Sequence, residues 1–306
     1  MIKFGVIGLG DIAQKAYLPV YSSLKDVEFH FFTRNQEKLK SIGSKYRFEH
    51  LHSTLESLLS SGISGAFVHS STASHEEVIE QLLQHNIHVF VDKPITDHYE
   101  GAKRLVELAE RKGLILMTGF NRRYANFYQQ LKGVLDPNMV LVQKHRKALP
   151  GEPRTFIYDD FIHVVDTMRY LFPNPVEDLV VNGRIVDGTL YHVVVQFISN
   201  GATAIGIMNR DNGTNEEIAE VMGPLEKRSV HNISKLVVSK GMETIEVRGS
   251  DWETTLKKRG FEQMVADFVH AVTTNSKPAI SGADSLETHK ICEEILAKLD
   301  SHSHLV

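Results

Sequence analysis

The chain begins with MIKFGVIGLGDIA, residues 1–13, and this segment is the strongest indication of its architecture. Residues 2–7 form an apolar run with the length and β-branched content of a strand. Gly8, Gly10 and Ala13 then make a G-x-G-x-x-A turn into a helical pattern. Gly8 permits the tight turn, Gly10 lets a pyrophosphate approach the backbone, and Ala13 lets helix and strand pack closely. This strand–turn–helix context predicts a dinucleotide site, with a ligand-free βα turn as the alternative.

The residues after the glycines predict how the two ends of a dinucleotide are held. Asp11 and Ile12 begin the helix, where free N–H groups and the helix dipole favour phosphates. In a dinucleotide fold an acidic residue about 20 positions further on binds the ribose 2′-OH. Here the second predicted strand is followed by Thr33 and Arg34, which can respectively donate a hydrogen bond to a 2′-phosphate and pair with it. The sequence therefore favours NADP(H) over NAD(H), and a polar strand end without a ligand is the alternative.

Strands and helices alternate through residues 1–120, which predicts an N-terminal Rossmann domain with a doubly wound parallel sheet. In open α/β sheets, ligands bind outside the carboxyl ends of the strands. Five residues are expected to complete the cofactor site, at strand ends or where the chain leaves the domain: Ser70, Ser71, Lys93, Pro94 and Asn121. For Lys93 the alternative is a surface lysine before a turn proline.

From residue 121 to residue 306 the pattern changes to strand-like runs separated by glycine-containing turns. Such runs predict a C-terminal α+β domain with a mainly antiparallel sheet. We expect this domain to bind the substrate and to form a homo-oligomer through its sheet. Lys144 and Arg146 alternate on one of its predicted strands, where they either face a substrate pocket or are solvated.

A predicted helix at residues 155–172 carries the candidate catalytic group of this half. Asp159 and His163 lie four residues apart, so the carboxylate can hydrogen-bond one imidazole nitrogen and orient the ring. An oriented neutral imidazole is a good general base near pH 7. Asp160, three residues before His163, can orient it instead. The alternative is an amphipathic helix whose polar face, which also includes Asp166, is solvated.

Composition and charge exclude several classes of protein. The chain has 34 basic and 38 acidic residues and a formal net charge of −4, so neither nucleic acid nor an anionic membrane surface is a favoured partner. No apolar run reaches the roughly 18 residues of a membrane span, and the N-terminal residues do not resemble a signal peptide. Cys292 is the single cysteine, which indicates a reducing compartment. We therefore expect a soluble, cytoplasmic protein.

Sixteen histidines raise the question of a metal site. The closely spaced pairs lie at positions 50 and 52, 85 and 88, and 302 and 304. None has a matching cysteine or carboxylate framework in the sequence, so we predict no metal.

Three motifs together resemble the glucose–fructose oxidoreductase/inositol dehydrogenase/MocA family. They are the glycine turn, the tripeptide Asp92-Lys93-Pro94 after a strand, and residues 119–124. Members of the family usually have glutamate where this chain has Asp92. The sequences of residues 68–75 and of the Gly-Phe-Asn-Arg-Arg segment are most similar to those of the MviM-type members of the family.

The resemblance implies an enzyme that transfers hydride between a nicotinamide dinucleotide and an alcohol carbon of a small sugar or polyol, such as a cyclitol, and Thr33 and Arg34 favour NADP(H) as that dinucleotide. The Asp-x-x-x-His-x-x-Asp pattern of the family is matched by Asp159, His163 and Asp166. His163 is then expected to take the hydroxyl proton, with Asp159 orienting it, while Lys93 stabilises the negative charge that develops on the same oxygen. A non-catalytic protein that senses a dinucleotide on the same fold is the alternative.

Overall fold

The computed structural model describes the backbone of residues 1–303 and the side chains of residues 1–301. The histidine pair at positions 302 and 304 therefore lies outside the described side chains. The chain divides into two compact units. The first comprises residues 1–120 and 261–287, and the second comprises residues 121–260 with the chain from Thr288 onward.

Strands and helices are numbered in chain order. The strands are β1 (Ile2–Ile7), β2 (Val27–Phe32), β3 (His50–His52), β4 (Gly65–Val68), β5 (His88–Val91), β6 (Leu116–Thr118), β7 (Met139–His145), β8 (Asp178–Val186), β9 (Thr189–Ser199), β10 (Ala202–Asn209), β11 (Glu216–Met222), β12 (Lys227–His231), β13 (Lys235–Lys240) and β14 (Glu243–Arg248). The α-helices are α1 (Leu18–Tyr21), α2 (Gln36–Tyr46), α3 (Leu55–Leu59), α4 (His75–Gln84), α5 (Tyr99–Arg111), α6 (Asn126–Leu131), α7 (Pro153–Phe156), α8 (Ile162–Leu171), α9 (Thr255–Lys258), α10 (Phe261–Thr274) and α11 (Gly282–Ser303). Shorter 3-10 turns lie at Thr72–Ser74 and Asn121–Tyr124, and π-helical turns at Ala13–Tyr17 and Ile157–Phe161.

The described residues of the first unit contain a six-stranded sheet in the order β3-β2-β1-β4-β5-β6. Every neighbouring pair in it is parallel. Strands β2 and β3 lie on one side of β1, and β4, β5 and β6 lie on the other. The carboxyl ends of β1, β2 and β4 therefore meet at the switch point of the strand order, where ligands bind in such folds. The predicted doubly wound Rossmann sheet is confirmed.

The helix after the glycine turn covers residues 11–21. Its middle is the π-helical turn Ala13–Tyr17, which ends two residues before Pro19. A proline inside a helix clashes with the carbonyl group four residues earlier, and a wider π turn relieves that contact. Ala13 is fully buried, as the small-residue pattern of the turn predicts.

An aromatic cluster explains why residues 261–287 belong to the first unit. Phe268 on α10 packs against Phe4, Phe67 and Phe90, with ring centroids 5.8, 5.0 and 5.8 Å away. Burial of such a ring contributes about 3–5 kcal/mol, judged by phenylalanine-to-alanine substitutions. The sequence predicts a C-terminal domain of residues 121–306, whereas residues 261–287 group with the first unit, because the rings that Phe268 contacts come from distant strands.

The second unit contains, within residues 121–260, an eight-stranded sheet in the order β14-β13-β12-β11-β7-β10-β9-β8. The pair β7–β10 is parallel, and the other neighbouring pairs of this sheet are antiparallel. The prediction of an α+β unit with a mainly antiparallel sheet is therefore confirmed.

Helix α8 lies on this sheet with its apolar face inward. Gly206 of β10 makes room for it, because a Cβ atom there would lie 2.9 Å from a methyl group of Val164 and would overlap Met168. Val164 and Met168 therefore face the sheet, and the position of His163 on α8 follows from that orientation. None of the described helices is both long enough and apolar enough to cross a membrane.

Candidate functional site

A cavity of about 510 Å³ lies at the carboxyl ends of β1, β2 and β4. This volume is within the usual range of ligand and cofactor sites. The predicted cofactor residues that line it are Gly8, Gly10, Thr33, Arg34, Ser70 and Ser71. The structure thus brings predicted residues from three separate segments of the chain into one cavity.

Gly8 and Gly10 meet different steric demands in this cavity. Gly8 has φ of +90°, a conformation that residues with a Cβ atom rarely adopt. A Cβ atom at Gly8 would lie 2.6 Å from the carbonyl carbon of His69 and closer still to the backbone nitrogen of Ser70. A Cβ atom at Gly10 would meet, among the described residues, only the carbonyl oxygen of His69 at 4.0 Å. The protein itself requires glycine at position 8, whereas at position 10 the space over the backbone is open to a ligand.

The cavity extends to the end of β2, where Thr33, Arg34 and Lys38 line it. Lys38 was not identified from the sequence, although its place in the first turn of α2, four residues after Arg34, is a usable signal. Asn35 caps this helix, and its side chain accepts a hydrogen bond from the Lys38 N–H at 2.9 Å. Glu77 of α4 contributes a carboxylate to the lining. The end formed by Thr33, Arg34 and Lys38 suits an anionic ligand group.

His69 follows β4 and lines the cavity, although nothing in the sequence had indicated a role for it. Its ring stacks on Tyr17 at 4.0 Å between centroids, and its Nε2 lies 2.7 Å from the Tyr21 hydroxyl. Burial, with the nearby His75, lowers the pKa of His69 to about 3, so the ring is neutral at pH 7. Its buried Nδ1 has no hydrogen-bond partner among the described residues. Because buried polar atoms are normally paired, this atom fits a site that a ligand completes.

His75, which is buried, connects the ends of two neighbouring strands. Its Nδ1 lies 2.9 Å from the carbonyl oxygen of Pro94, and its Nε2 lies 3.0 Å from the carbonyl oxygen of Ser70. The Lys93–Pro94 peptide bond is cis. His75 therefore holds the backbone beside Lys93 close to the backbone of the cavity wall.

Asp92 stands where the family usually has glutamate, and its environment suits the shorter side chain. The hydroxyl of Tyr17 donates a hydrogen bond to its carboxylate at 2.8 Å. A Cβ atom at Gly119 would lie 3.0 Å from the same carboxylate oxygen, so the space around it is closely filled. Burial raises the pKa of Asp92. The change from glutamate is thus accommodated within the first unit.

Five predicted cofactor residues are not among the described residues that line the cavity: Asp11, Ile12, Lys93, Pro94 and Asn121. Asp11 forms an exposed ion pair with Lys15 at 2.8 Å, and Ile12 is 39% exposed. Asn121 belongs to the second unit, where its amide nitrogen donates to the carbonyl oxygen of Arg259 at 2.8 Å. Contact between these five residues and a cofactor stays a prediction.

In the second unit, two adjacent aspartates of the π-helical turn before α8 lie in different environments. Asp159 is exposed, whereas Asp160 is buried. The Asp160 carboxylate accepts hydrogen bonds from Arg146 Nε and Nη2 at 2.8 and 2.9 Å and forms an ion pair with Lys144. Burial alone would raise the pKa of Asp160, but these two cations hold it well below its usual range. Both carboxylate oxygens of Asp160 thus bind cations, and the pairing of Asp159 with His163 stays a prediction.

The structure excludes the solvated alternative for Asp166. This residue was predicted on a polar helix face with Asp159 and His163, and it is 1% exposed. Arg123 donates to its two carboxylate oxygens at 3.0 and 2.6 Å, and the Thr288 hydroxyl donates at 3.2 Å. Helical periodicity marks a polar face but does not show what covers it. Asp166 therefore acts as a buried structural anchor of α8.

For Lys144 the solvated alternative is excluded, because this side chain is buried. A cavity of about 150 Å³ within the second unit is lined by Arg122, Lys144, Arg146 and Glu217, among others. Arg122 donates to the Glu217 carboxylate at 2.5 and 2.6 Å. Burial, and next the charge of Arg122, lowers the pKa of Lys144 to about 7. A lining in which several charged side chains lie close together suits small polar ligand groups.

Two family models match the chain. One, described as an oxidoreductase family with an NAD-binding Rossmann fold, covers residues 2–120, and the other, a YceM-like C-terminal domain, covers residues 126–241. The Salmonella typhimurium protein YceM is 31% identical over 301 residues, which span 96% of this chain and 97% of that protein. Myo-inositol 2-dehydrogenase of Thermotoga maritima is 24% identical over 318 residues, 92% of each chain. The crystal structure of the dehydrogenase MviM from Clostridium difficile has a TM-score of 0.93 and 33% identity, with coverage of 97% of this chain and 99% of that one.

A Rossmann unit with a glycine-lined cavity, followed by a YceM-like unit, defines the class of protein as an NAD-binding oxidoreductase. The chain belongs to the Gfo/Idh/MocA oxidoreductase family. The resemblance seen in the sequence, including its likeness to MviM-type members, is confirmed, and so is the predicted class of enzyme.

Proposed function

We propose that this enzyme transfers hydride between NADP(H) and an alcohol carbon of a sugar or cyclitol. The observation that carries the proposal is the cavity lined by Gly8 and Gly10 and, where β2 ends, by Thr33 and Arg34. A polyol substrate is supported by the likeness to a myo-inositol 2-dehydrogenase. The charged lining of the 150 Å³ cavity in the second unit also suits a substrate rich in hydroxyl groups.

The preference for NADP(H) rests on the groups at the end of β2. Thr33 can donate to a 2′-phosphate, and a hydrogen bond to a charged group contributes about 1.5–3 kcal/mol. Arg34 and Lys38 are exposed, so each adds only about 0.2–1 kcal/mol after solvent screening. The sum of the three contributions corresponds to a preference for NADP(H) over NAD(H) of at least about tenfold. Glu77 opposes it, since its carboxylate lines the same cavity.

The proposed catalytic roles follow from what oxidation of an alcohol requires. Bound nicotinamide supplies the hydride acceptor. His163 takes the hydroxyl proton, and the carboxylate of Asp159 orients its ring. The Lys93 ammonium group donates a hydrogen bond to the reacting oxygen and stabilises its developing negative charge. In carbonyl reduction the same groups act in reverse, with His163 returning the proton.

We also propose a cytoplasmic homo-oligomer that assembles through the sheet of the second unit. Val180 on β8 and Ile198 on β9 are 43% and 36% exposed, and apolar side chains exposed on a sheet favour contact with another protein surface. The free Cys292 thiol is consistent with a reducing compartment. Light scattering coupled to size-exclusion chromatography measures the oligomeric state.

The proposal is tested by following NADPH and NADH absorbance at 340 nm with a panel of sugars, cyclitols and their keto derivatives. We expect saturable turnover of at least one polyol, with NADP(H) as the better cofactor. Fluorescence titration of NADPH in the absence of substrate provides the control for cofactor binding. Tight binding without turnover of any panel member would instead indicate a dinucleotide sensor.

A further inference from the structure

Four polar side chains lie together on one face of the sheet, at strands β2 and β3. Alternate residues of a strand point to the same face, so Glu28 and His30 share a face of β2, and His50 and His52 share a face of β3. The strands are parallel neighbours in which His30 pairs with His50, so the two faces coincide. In the sequence, the histidines at positions 50 and 52 have no matching cysteine or carboxylate framework, and no metal is predicted from it. Strand pairing supplies a carboxylate and a further imidazole.

The geometry of three of these residues suits a metal ion. The liganding atoms of Glu28, His30 and His50 all lie within 4.8 Å of one another. Nε2 of His30 is 2.8 Å and Nε2 of His50 is 3.7 Å from Glu28 Oε1. In a tetrahedral zinc site with bonds of about 2.0–2.2 Å, donor atoms lie roughly 3.4 Å apart, so small side-chain shifts suffice. We propose that Glu28, His30 and His50 bind a divalent transition-metal ion, with Zn²⁺ as the test ion and water as the fourth ligand.

His52 and Ser57 are placed to orient His30 for this role. His52 Nε2 lies 2.9 Å from His30 Nδ1, and His52 Nδ1 lies 2.9 Å from the Ser57 hydroxyl. Without an ion, Ser57 can donate to His52, His52 to His30, and His30 to Glu28. Each ring nitrogen of His30 and His52 then has a hydrogen-bond partner. With an ion on His30 Nε2, the protons of both rings move to Nδ1, and the same two hydrogen bonds run in the opposite direction. No proton leaves the cluster, and the second ring nitrogen of the ligand keeps a partner, as metal-bound histidines require.

Burial and charge at the cluster are compatible with entry of an ion. The side chain of His30 is 6% exposed and therefore held in place, whereas those of Glu28 and His50 are 21% and 44% exposed. The Lys3 ammonium group lies 3.5 Å from Glu28 Oε1 and competes for it. Because the Lys3 side chain is 40% exposed, it can turn into solvent when an ion binds. Two imidazoles favour Zn²⁺, Ni²⁺ or Cu²⁺ over Mg²⁺, which prefers oxygen ligands.

The ion would join the edge strand β3, which is three residues long, to β2. An ion that binds the folded state and not the unfolded chain stabilises the fold in proportion to its occupancy. Thermal stability that rises with Zn²⁺ concentration is therefore a second readout, and it does not depend on catalysis or on the identity of the substrate.

The test is isothermal titration of the full-length protein, stripped with EDTA and dialysed, with zinc chloride. We expect one Zn²⁺ per chain with a Kd below about 10 μM, a raised melting temperature, and no response to magnesium chloride. The exposed variant His50→Gln and the buried variant His30→Gln should each weaken binding at least about tenfold. His52→Gln should weaken binding with unchanged stoichiometry, because His52 positions a ligand. His85, an exposed histidine at the end of α4, lies outside the cluster, so His85→Gln is the matched control and should bind as the parent does.

Loss of binding in His50→Gln with parental binding in His85→Gln supports the site, even if His30→Gln fails to fold. Zinc binding that persists unchanged in His50→Gln overturns the proposal, because the ion is then held by other histidines. Absence of binding up to about 100 μM zinc overturns it as well.

Discussion

Replacing each cavity glycine by alanine separates the demands of the fold from the demands of the cofactor. At Gly8 a methyl group would face the backbone of His69 and Ser70 in a conformation with φ of +90°. At Gly10 a methyl group would have, among the described residues, one neighbour, a carbonyl oxygen at 4.0 Å. Gly8→Ala should therefore damage the fold, whereas Gly10→Ala should damage NADPH binding alone.

The expected magnitudes follow from these geometries. Positive φ costs an alanine about 1–2 kcal/mol, and forcing a methyl group against backbone adds about 1–3 kcal/mol. The sum of about 2–5 kcal/mol lowers the melting temperature by roughly 5–15 °C. For Gly10→Ala no such contact exists in the described structure, so stability should change by less than about 1 kcal/mol. Affinity for NADPH should nevertheless fall at least about tenfold, because the methyl group occupies the space through which a pyrophosphate approaches.

Differential scanning calorimetry of the two variants without cofactor, followed by fluorescence titration with NADPH, measures both effects. A Gly8→Ala protein that unfolds at the parental temperature would show that the backbone of His69 and Ser70 moves more easily than the geometry indicates. A Gly10→Ala protein that binds NADPH as tightly as the parent would refute the assignment of this cavity to the pyrophosphate.

Other variants test the remaining roles. Thr33→Asp should reverse the preference to NAD(H) by placing a negative charge against the 2′-phosphate; titration with both cofactors checks this, and an unchanged order contradicts it. Lys93→Met should lower turnover about 100- to 1000-fold with little change in cofactor affinity, whereas equal losses in steady-state and binding assays would make Lys93 a cofactor contact. His163→Asn should lower turnover roughly 100- to 10,000-fold and abolish the pH dependence of kcat near neutrality, with an unaltered melting temperature; parental turnover would exclude a base. Burial raises the pKa of Glu217, but Arg122 overcomes this and sets it at about 2, below its usual 4.5. The stabilisation by this pair is thus complete above about pH 5 and is lost as pH falls toward 2. Arg122→Met should cost about 3–5 kcal/mol in urea denaturation at pH 7, and a cost that is the same at pH 3 would contradict the pairing.

The cofactor half of the site could be predicted from the sequence because its constraints are local. A glycine needed for positive φ, and a strand followed at once by a helix, can each be recognised from a few consecutive residues. Gly8, Gly10, Thr33 and Arg34 were recognisable in this way, and the cavity contains all of them. The spacing of Asp159 and His163 is local too, although their catalytic roles stay predictions.

Contacts between distant segments were decided by the tertiary structure. Phe268 joins the first unit because it packs against rings from three strands that lie far from it in the sequence. Asp166 is buried because Arg123 and Thr288 reach it from segments 43 and 122 residues away. His30 meets His50 through strand pairing. Sequence periodicity predicts which face of its own helix or strand a side chain lies on. Whether that side chain is buried or forms an ion pair depends on which distant segments pack against that face.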